Sequence, residues 1–216
     1  MNPVNLSLYL VLDPDLCGGL DGMVATTRTA VANGVTVVQL RAPQWKKRQW
    51  FDAAVALKAV LAGSGVPLVI NDHVDIALAV DAEGVHVGQS DLPVAEVRRL
   101  VGPDKIVGLS TSNAAQLAAV PLALIDGGID YIGVGPVYPT GTKKDASPVI
   151  APADFAAMML AKRCPAVAIG GIALGKVAPL IRAGADGVAV VSAICGQPDV
   201  AAATQALFNE ITEARA

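Results

Sequence analysis

Features that would indicate a membrane, secreted or nucleic-acid-binding protein are missing from this sequence. No apolar run reaches about 18 residues, the length that predicts a transmembrane helix. The three cysteines (Cys17, Cys164 and Cys195) are scattered without a CxxC pair, which predicts reduced thiols rather than a disulfide framework. The net charge is −3 without a block of like charges, so neither nucleic acid nor a membrane is expected as a partner.

Aromatic residues are also few. They make up 4% of the 216 residues, whereas hydrophobic residues as a whole make up 53%, and 21 residues are glycine. This balance favours Val-rich strands and small-residue helices over an aromatic-rich β-sandwich. The first segment, MNPVNLSLYLVLD, lacks the basic start and cleavage site of a signal peptide, so we expect a cytoplasmic protein. The sequence leaves a homo-oligomer open.

Eight short β-branched segments recur along the chain and predict eight strands. Ala/Leu-rich segments with helical spacing, such as Phe51, Ala54 and Val55, separate them. The alternation predicts a single α/β domain over residues 1–216, a (β/α)8 TIM barrel, with a doubly wound open sheet as the competing fold. The segments begin at residues 7, 35, 67, 84, 105, 131, 166 and 187 and read SLYLVLD, VTVVQLR, PLVIND, GVHVGQ, KIVGLST, YIGVGPV, AVAIGGI and GVAVVSAI.

Polar or glycine residues follow most of the predicted strands at the end where such barrels carry their active sites. Individually, Asp72, Asp91 and Ser110 could equally be helix caps. Their recurrence from strand to strand favours a shared site. In chain order these strand ends carry Gln39 and Arg41, Asn71 and Asp72, Gln89 and Asp91, Ser110 and Thr111, the run PVYPTGTKKD, Gly170 and Gly171, and Val191 and Ser192.

Two carboxylates, Asp72 and Asp91, end adjacent predicted strands. Like charges this close repel each other unless a cation lies between them, and Mg²⁺ prefers such oxygen ligands with water and phosphate. Arg41 and Lys143 would add fixed positive charge. The combination predicts a Mg²⁺-dependent pyrophosphate site.

The far side of the same face predicts a second anion site. Gly171 follows the seventh strand and Ser192 the eighth, the usual place for a phosphate in this fold. Neither His73 nor His86 has a second histidine or cysteine at ligand spacing, so zinc is not expected. We interpret His86 as a packed barrel residue rather than an acid–base group.

Longer motifs resemble those of thiamine-phosphate synthases. INDHVDIALAVDAEGVHVGQSDLP, GLSTSN, DYIGVGPVYPTGTK, AIGGI and VAVVSAI occur in the family's order and cover nearly the whole chain. The resemblance implies a (β/α)8 barrel that joins 4-amino-2-methyl-5-hydroxymethylpyrimidine diphosphate to a thiazole phosphate and releases pyrophosphate. Mg²⁺ is the implied cofactor, and the two small molecules are the implied partners.

The resemblance also implies roles for individual residues. Asp72 and Asp91 would be the metal ligands, and Arg41, Ser110 and Lys143 the catalytic residues. The pyrimidine diphosphate would lie against Gln39, Leu40, Arg41, Ala42, Pro43, Asn71, Ser110 and Lys143. The thiazole phosphate would lie against Thr140, Gly141, Thr142, Gly171, Val191 and Ser192.

Two positions depart from the family pattern. Pro43 stands where the pattern QLR.K has a lysine, so one charged contact to the diphosphate is absent, although Lys46 or Lys47 could reach back. Ser112 stands where a histidine is common, and related thiazole tautomerases use a histidine in this neighbourhood. A tautomerase-like isomerase and a non-catalytic phosphate-ligand binder remain the alternative functions.

Overall fold

A computed structural model describes residues 4–120, 128–141 and 147–216 of the chain. Eight parallel strands form a closed barrel in which each strand pairs with the next and the last pairs with the first. The predicted TIM barrel is therefore confirmed, and the open sheet is wrong. The strands are β1 Leu8–Leu12, β2 Val37–Leu40, β3 Leu68–Asn71, β4 Gly84–Val87, β5 Ile106–Thr111, β6 Tyr131–Val134, β7 Ala166–Ile169 and β8 Gly187–Val190.

Helices surround the barrel and connect its strands. Within the described ranges, none of them is long and apolar enough to cross a membrane. The described helices are α1 Pro14–Cys17, α2 Leu20–Ala32, α3 Lys47–Leu61, α4 Val74–Ala79, α5 Val94–Val101, α6 Ala114–Ala119, α7 Pro152–Ala161, α8 Ala178–Arg182 and α9 Val200–Arg215.

Side chains of each strand alternate between two apolar layers, as the pleat requires. On β2, Val37 belongs to the small cluster inside the barrel, whereas Val38 and Leu40 belong to the large layer between strands and helices. Tyr9 and Tyr131 are the largest side chains of the inner cluster and are fully buried. The alternation fixes which residues near the strand ends can point into the mouth, our name for the carboxyl-terminal opening of the barrel.

The buried face of α3 differs from the predicted one. Trp50, Ala53 and Leu57 contact the outer layer, while Phe51 and Val55 are exposed. The helix begins at Lys47. Its buried positions are shifted by about one residue from the positions that the helical spacing of the sequence suggested. The predicted helix is confirmed, and of the three residues named from its spacing Ala54 is buried.

Four polar side chains, here called the amino-terminal clamps, tie strands together at the end opposite the mouth. They are Thr36, Glu83, Asp130 and Asp186, and each directly precedes an even-numbered strand. Each accepts a hydrogen bond at 2.7–3.1 Å from a backbone N–H at the start of the preceding odd-numbered strand, which is the first residue of β1, β3 and β7 and the second residue, Val107, of β5. Lysine or arginine side chains also pair with the three carboxylates: Lys58 with Glu83, Arg98 with Asp130, and Lys162 with Asp186.

Replacing Asp130 by alanine is expected to destabilise the barrel without changing the mouth. Its Oδ2 accepts bonds from Val107 N–H and Arg98 Nη2, both at 2.8 Å, and their loss leaves a mostly buried cation without its counter-charge. We expect a loss of about 1–3 kcal/mol in the free energy of unfolding. Urea denaturation measures it. Glu96→Ala removes the exposed Arg99–Glu96 pair and serves as the control, with a change under about 1 kcal/mol. Equal losses in both variants would contradict the clamp.

Candidate active site

The sequence QLRAP contributes to the mouth from alternate positions. Gln39 lies in the barrel interior with 5% of its surface exposed, and Arg41, two residues on, follows on the same side of the chain. Leu40 and Ala42 are fully buried in the outer layer, so their side chains cannot contact a ligand in the mouth. Their predicted binding role can be filled only by their backbone. Pro43 is exposed at the rim.

The end of β3 places Asn71 and Asp72 beside β4. Asn71 pairs in register with His86, and Asp72 N–H donates to the His86 carbonyl at 2.8 Å. Asp72 has a φ of 60°, a left-handed conformation that costs a non-glycine residue free energy. Asn71 Nδ2 donates to Asp72 Oδ2 at 2.7 Å. The strained backbone and the amide contact hold this exposed carboxylate at the mouth.

The loop after β4 folds back, so that Asp91 lies close to the end of β4. Asp91 Oδ2 accepts the Gly88 N–H at 2.7 Å. The neighbouring side chain, Gln89, reaches across to β5 and donates to the Ser110 carbonyl at 2.7 Å. Asp91 is also near enough to His73 for its charge to raise the pKa of that imidazole, although burial and Lys47 together lower it. The bond to Gly88 therefore holds the Asp91 carboxylate at the carboxyl end of β4.

The two carboxylates fit a hard divalent cation. Both are exposed side chains on neighbouring loops, and the Oδ2 atom of each accepts a hydrogen bond of 2.7 Å. Within the described part of the chain, no group of three or more His, Cys, Asp or Glu could hold a metal. A cation here would therefore take few protein ligands and complete its shell with water and phosphate, which is how Mg²⁺ is commonly held.

Of the two lysines that could replace the missing family lysine, Lys47 is engaged elsewhere. Lys47 Nζ lies 2.8 Å from both His73 Nδ1 and Asp75 Oδ1, so its charge is directed to the loop after β3. Trp50 packs edge-on against His73 at 4.5 Å between ring centroids and supports that arrangement. Lys46 is exposed at the N-cap of α3. Arg41 is the cation next to Pro43 in the chain.

The loops after β6, β7 and β8 form the other side of the mouth. Gly171 has a φ of 63°, and a Cβ there would lie 2.3 Å from the Pro139 carbonyl oxygen, directly before Thr140. The glycine therefore allows the loops after β6 and β7 to come into contact. From the sequence, we interpreted the same glycine as part of a phosphate site. On this side of the mouth, Thr140 and Val191 are half-buried, and Gly141 and Ser192 are exposed. Thr142 and Lys143 lie outside the described residues.

A buried hydrogen-bond chain links two of the predicted site residues through three that the sequence reasoning did not assign. Gln39 Nε2 donates to the Tyr9 hydroxyl at 2.8 Å, and that hydroxyl lies 2.7 Å from the Tyr131 hydroxyl. Tyr131 lies 2.9 Å from His86 Nδ1, and His86 Nε2 lies 2.9 Å from Ser110 Oγ. We call this the cross-barrel chain. His86 is packed as predicted, but it also contacts the site through Ser110.

Two glycines make room for the cross-barrel chain. A Cβ at Gly108 would lie 2.3 Å from Tyr131 Cζ and 2.4 Å from His86 Nδ1, distances that no packed structure accommodates. A Cβ at Gly133 would lie 3.3 Å from His86 Cε1. Burial raises the pKa of both Tyr9 and Tyr131, so both hydroxyls keep their protons. The sequence signal for this chain was the presence of two glycines, Gly108 and Gly133, inside strands of the barrel that also contains Tyr131 and His86.

The closed (β/α)8 fold and the polar groups at its mouth are typical of an enzyme whose active site lies at the carboxyl ends of the strands. The profile of the thiamine monophosphate synthase family matches residues 8–194. The chain belongs to this family.

Individual relatives agree with this assignment. The chain is 57% identical over 205 residues to a thiamine-phosphate synthase from Laribacter hongkongensis, covering 95% of both chains. It is 49% identical over 213 residues to one from Xanthobacter autotrophicus, covering 99% of both. A solved thiamine phosphate pyrophosphorylase from Pyrococcus furiosus superposes with a TM-score of 0.85 at 31% identity and covers 99% of this chain and 98% of its own.

Proposed function

We propose that this chain is a Mg²⁺-dependent thiamine-phosphate synthase. It condenses 4-amino-2-methyl-5-hydroxymethylpyrimidine diphosphate with 4-methyl-5-(2-phosphoethyl)thiazole and releases pyrophosphate. The observation that carries the proposal is similarity over nearly the full length to proteins of that name, at up to 57% identity among those described above. Asp72, Asp91 and Arg41 at one barrel mouth supply the groups such a reaction requires.

The chemistry requires one bond to break and one to form. The C–O bond between the pyrimidine methylene and the diphosphate breaks, and pyrophosphate leaves with the electron pair. The electron-rich aminopyrimidine stabilises the resulting carbocation, and the thiazole nitrogen lone pair then forms the new C–N bond. No net proton transfer is needed. The protein therefore has to stabilise charge and align two substrates rather than supply an acid and a base.

Stabilisation of the leaving group falls to the side of the mouth formed by β2 to β5. Arg41 offers planar, charge-assisted hydrogen bonds to diphosphate oxygens. When bound, Mg²⁺ would be held by Asp72 and Asp91 and would neutralise charge on the departing pyrophosphate. Lys143, which the family resemblance assigns to the same group, would add a further positive charge.

Alignment of the thiazole phosphate falls to the opposite side. In this fold, loops after the seventh and eighth strands bind phosphate through backbone N–H groups and short side chains. Gly171 and Ser192 occupy those loops, and the close approach of Gly171 to Pro139 brings the Thr140 segment beside them. The arrangement favours a second anion opposite the first.

The decisive experiment supplies both substrates to the purified protein with and without Mg²⁺ and measures pyrophosphate and thiamine phosphate. A synthase forms both products in equal amounts only when the cation is present. A tautomerase-like isomerase would act on a thiazole phosphate without Mg²⁺ or the pyrimidine. A non-catalytic binder would bind ligand and release no pyrophosphate. Either of the last two results overturns the proposal, and Mg²⁺-independent synthesis would overturn the cofactor assignment alone.

Replacing Pro43 by lysine is expected to improve use of the pyrimidine diphosphate. A missing charged hydrogen bond costs about 1.5–3 kcal/mol, or roughly 10- to 150-fold in kcat/KM, and Lys47 is engaged with His73 and Asp75. Steady-state kinetics with the diphosphate varied measures the gain. Pro43→Ala is the control, because it restores the backbone N–H without a charge. The expectation fails if alanine improves kcat/KM as much as lysine does.

A further inference from the structure

The cross-barrel chain has a direction that follows from counting its protons. The Gln39 amide nitrogen can only donate, so the Tyr9 oxygen accepts from it. A tyrosine hydroxyl has a single proton, and in Tyr9 that proton is left for the bond to Tyr131. The Tyr131 proton is in turn left for His86 Nδ1. The direction is therefore set at the Gln39 end.

The same count fixes the state of the last two members. Because His86 Nδ1 accepts a hydrogen bond from the Tyr131 hydroxyl, the neutral ring carries its own proton on Nε2. His86 Nε2–H then donates to Ser110 Oγ. The Ser110 hydroxyl has accepted one bond and keeps its proton for a ligand. At the opposite end, the Gln39 amide has used one of its two N–H groups inside the barrel, which leaves Oε1 to accept from a ligand and the second N–H to donate to a neighbouring ligand atom.

Reversing one end would require reversing every bond in between. If the Gln39 amide flipped, its oxygen would accept from Tyr9, Tyr9 would accept from Tyr131, and His86 would have to move its proton to Nδ1. Ser110 would then spend its proton on His86. Gln39 is 5% exposed and His86 9%, and both tyrosines are fully buried, so water has little access to stabilise a half-reversed chain.

We propose that Tyr9, Tyr131 and His86 are positioning residues that fix the hydrogen-bond polarity of the substrate site, with Gln39 as an acceptor and Ser110 as a donor. The inference rests on the proposed function for the identity of the substrate. It assigns specificity for a 4-aminopyrimidine over a 4-oxopyrimidine to residues that do not touch either one.

The proposed polarity matches the pyrimidine diphosphate at both ends. An exocyclic amino group donates, so it complements Gln39 Oε1, whereas a 4-oxo group would place two acceptors against each other. The diphosphate offers only acceptors, so it complements the Ser110 hydroxyl proton. A wrong ligand that leaves buried polar groups of the site without hydrogen-bond partners binds much more weakly. An amide held in one orientation therefore makes the site selective.

The test measures binding rather than turnover. Isothermal calorimetry gives the dissociation constants of 4-amino-2-methyl-5-hydroxymethylpyrimidine diphosphate and its 4-oxo counterpart, each without the thiazole phosphate. Tyr9→Phe and Tyr131→Phe keep the tilted ring contact of the pair, with centroids 5.8 Å apart, and remove one hydroxyl each. We expect either variant to lower the preference for the amino ligand by about 10-fold, since one hydrogen bond no longer holds the amide. We expect the double variant to lower it no further.

Tyr138→Phe is the matched control. Its hydroxyl donates to the Lys176 carbonyl at 3.2 Å, outside the cross-barrel chain, so the ratio of the two dissociation constants should stay at the wild-type value. The inference is overturned if the wild type does not prefer the amino ligand, if folded Tyr9→Phe and Tyr131→Phe keep the wild-type ratio, or if their effects multiply in the double variant. A protein that shows the expected ratios but forms no thiamine phosphate would overturn the proposed function alone.

Discussion

Asp91→Asn is expected to lower turnover by roughly 100-fold or more, while the protein stays folded. Asparagine keeps an oxygen that can accept the Gly88 N–H, which Asp91 Oδ2 accepts at 2.7 Å, so the loop after β4 retains its anchor. What it loses is the negative charge that would hold the cation beside Asp72. Pyrophosphate release at saturating substrates, followed across a Mg²⁺ titration, measures the effect.

Asp75→Asn is the matched control for that substitution. Asp75 is also exposed and lies in the first turn of α4, just after the loop that carries Asp72, but its carboxylate pairs with Lys47 at 2.8 Å. Its loss should change turnover by less than about 5-fold, because exposed ion pairs contribute little. The metal assignment is wrong if Asp91→Asn keeps most of its turnover at limiting Mg²⁺, or if the two variants lose turnover equally.

Gly108→Ala is expected to have the largest effect on stability. The added methyl group would lie 2.3 Å from Tyr131 Cζ and 2.4 Å from His86 Nδ1, and both side chains are buried with nowhere to move. Overpacking of this kind costs about 1–3 kcal/mol or more, which for a domain of this size lowers the melting temperature by roughly 5–10 °C. Thermal unfolding followed by circular dichroism measures it.

Gly133→Ala tests whether the cost comes from these contacts rather than from loss of a strand glycine. Gly133 lies on the next strand, and its methyl group would come no closer than 3.3 Å, to His86 Cε1. A shift of a few tenths of an ångström in the imidazole relieves that contact. We therefore expect a fall of the melting temperature less than half as large. Similar falls in the two variants would show that the room around His86 and Tyr131 is not the cause.

The barrel could be predicted from the sequence because its signal is repeated eight times. Each strand is short and β-branched, and each is followed by a helical segment, so an error in one unit does not change the count. Orientation within a unit was harder. Phe51, Ala54 and Val55 have the helical spacing of a buried face, yet of these only Ala54 is buried, together with Trp50, Ala53, Leu57 and Leu61. Ala-rich helices carry little contrast between their faces, so the spacing alone did not decide.

Residues proposed to contact a ligand directly could be named from the sequence. Residues proposed to act only by positioning another side chain could not. Arg41 and Asp72 directly follow strands and Asp91 lies in the short loop after β4, so the fold alone places them near the mouth. Leu40 and Ala42 were assigned to the site from the family resemblance, but alternation along β2 buries their side chains. The link from Tyr9 to His86 joins strands 1, 6 and 4, which no local pattern connects. Only the closed barrel brings these side chains within hydrogen-bonding distance.

The amino-terminal clamps separate what keeps this protein folded from what it does. Glu83, Asp130 and Asp186 secure strand pairs at the end of the barrel farthest from the mouth, and each is supported by its own cation. Changes at the opposite rim, such as Pro43 in place of a lysine or Ser112 in place of a histidine, leave those contacts intact. Because the two ends are separate, substitutions that change substrate preference can accumulate at the mouth. The contacts that stabilise the fold at the opposite end are unaffected by them.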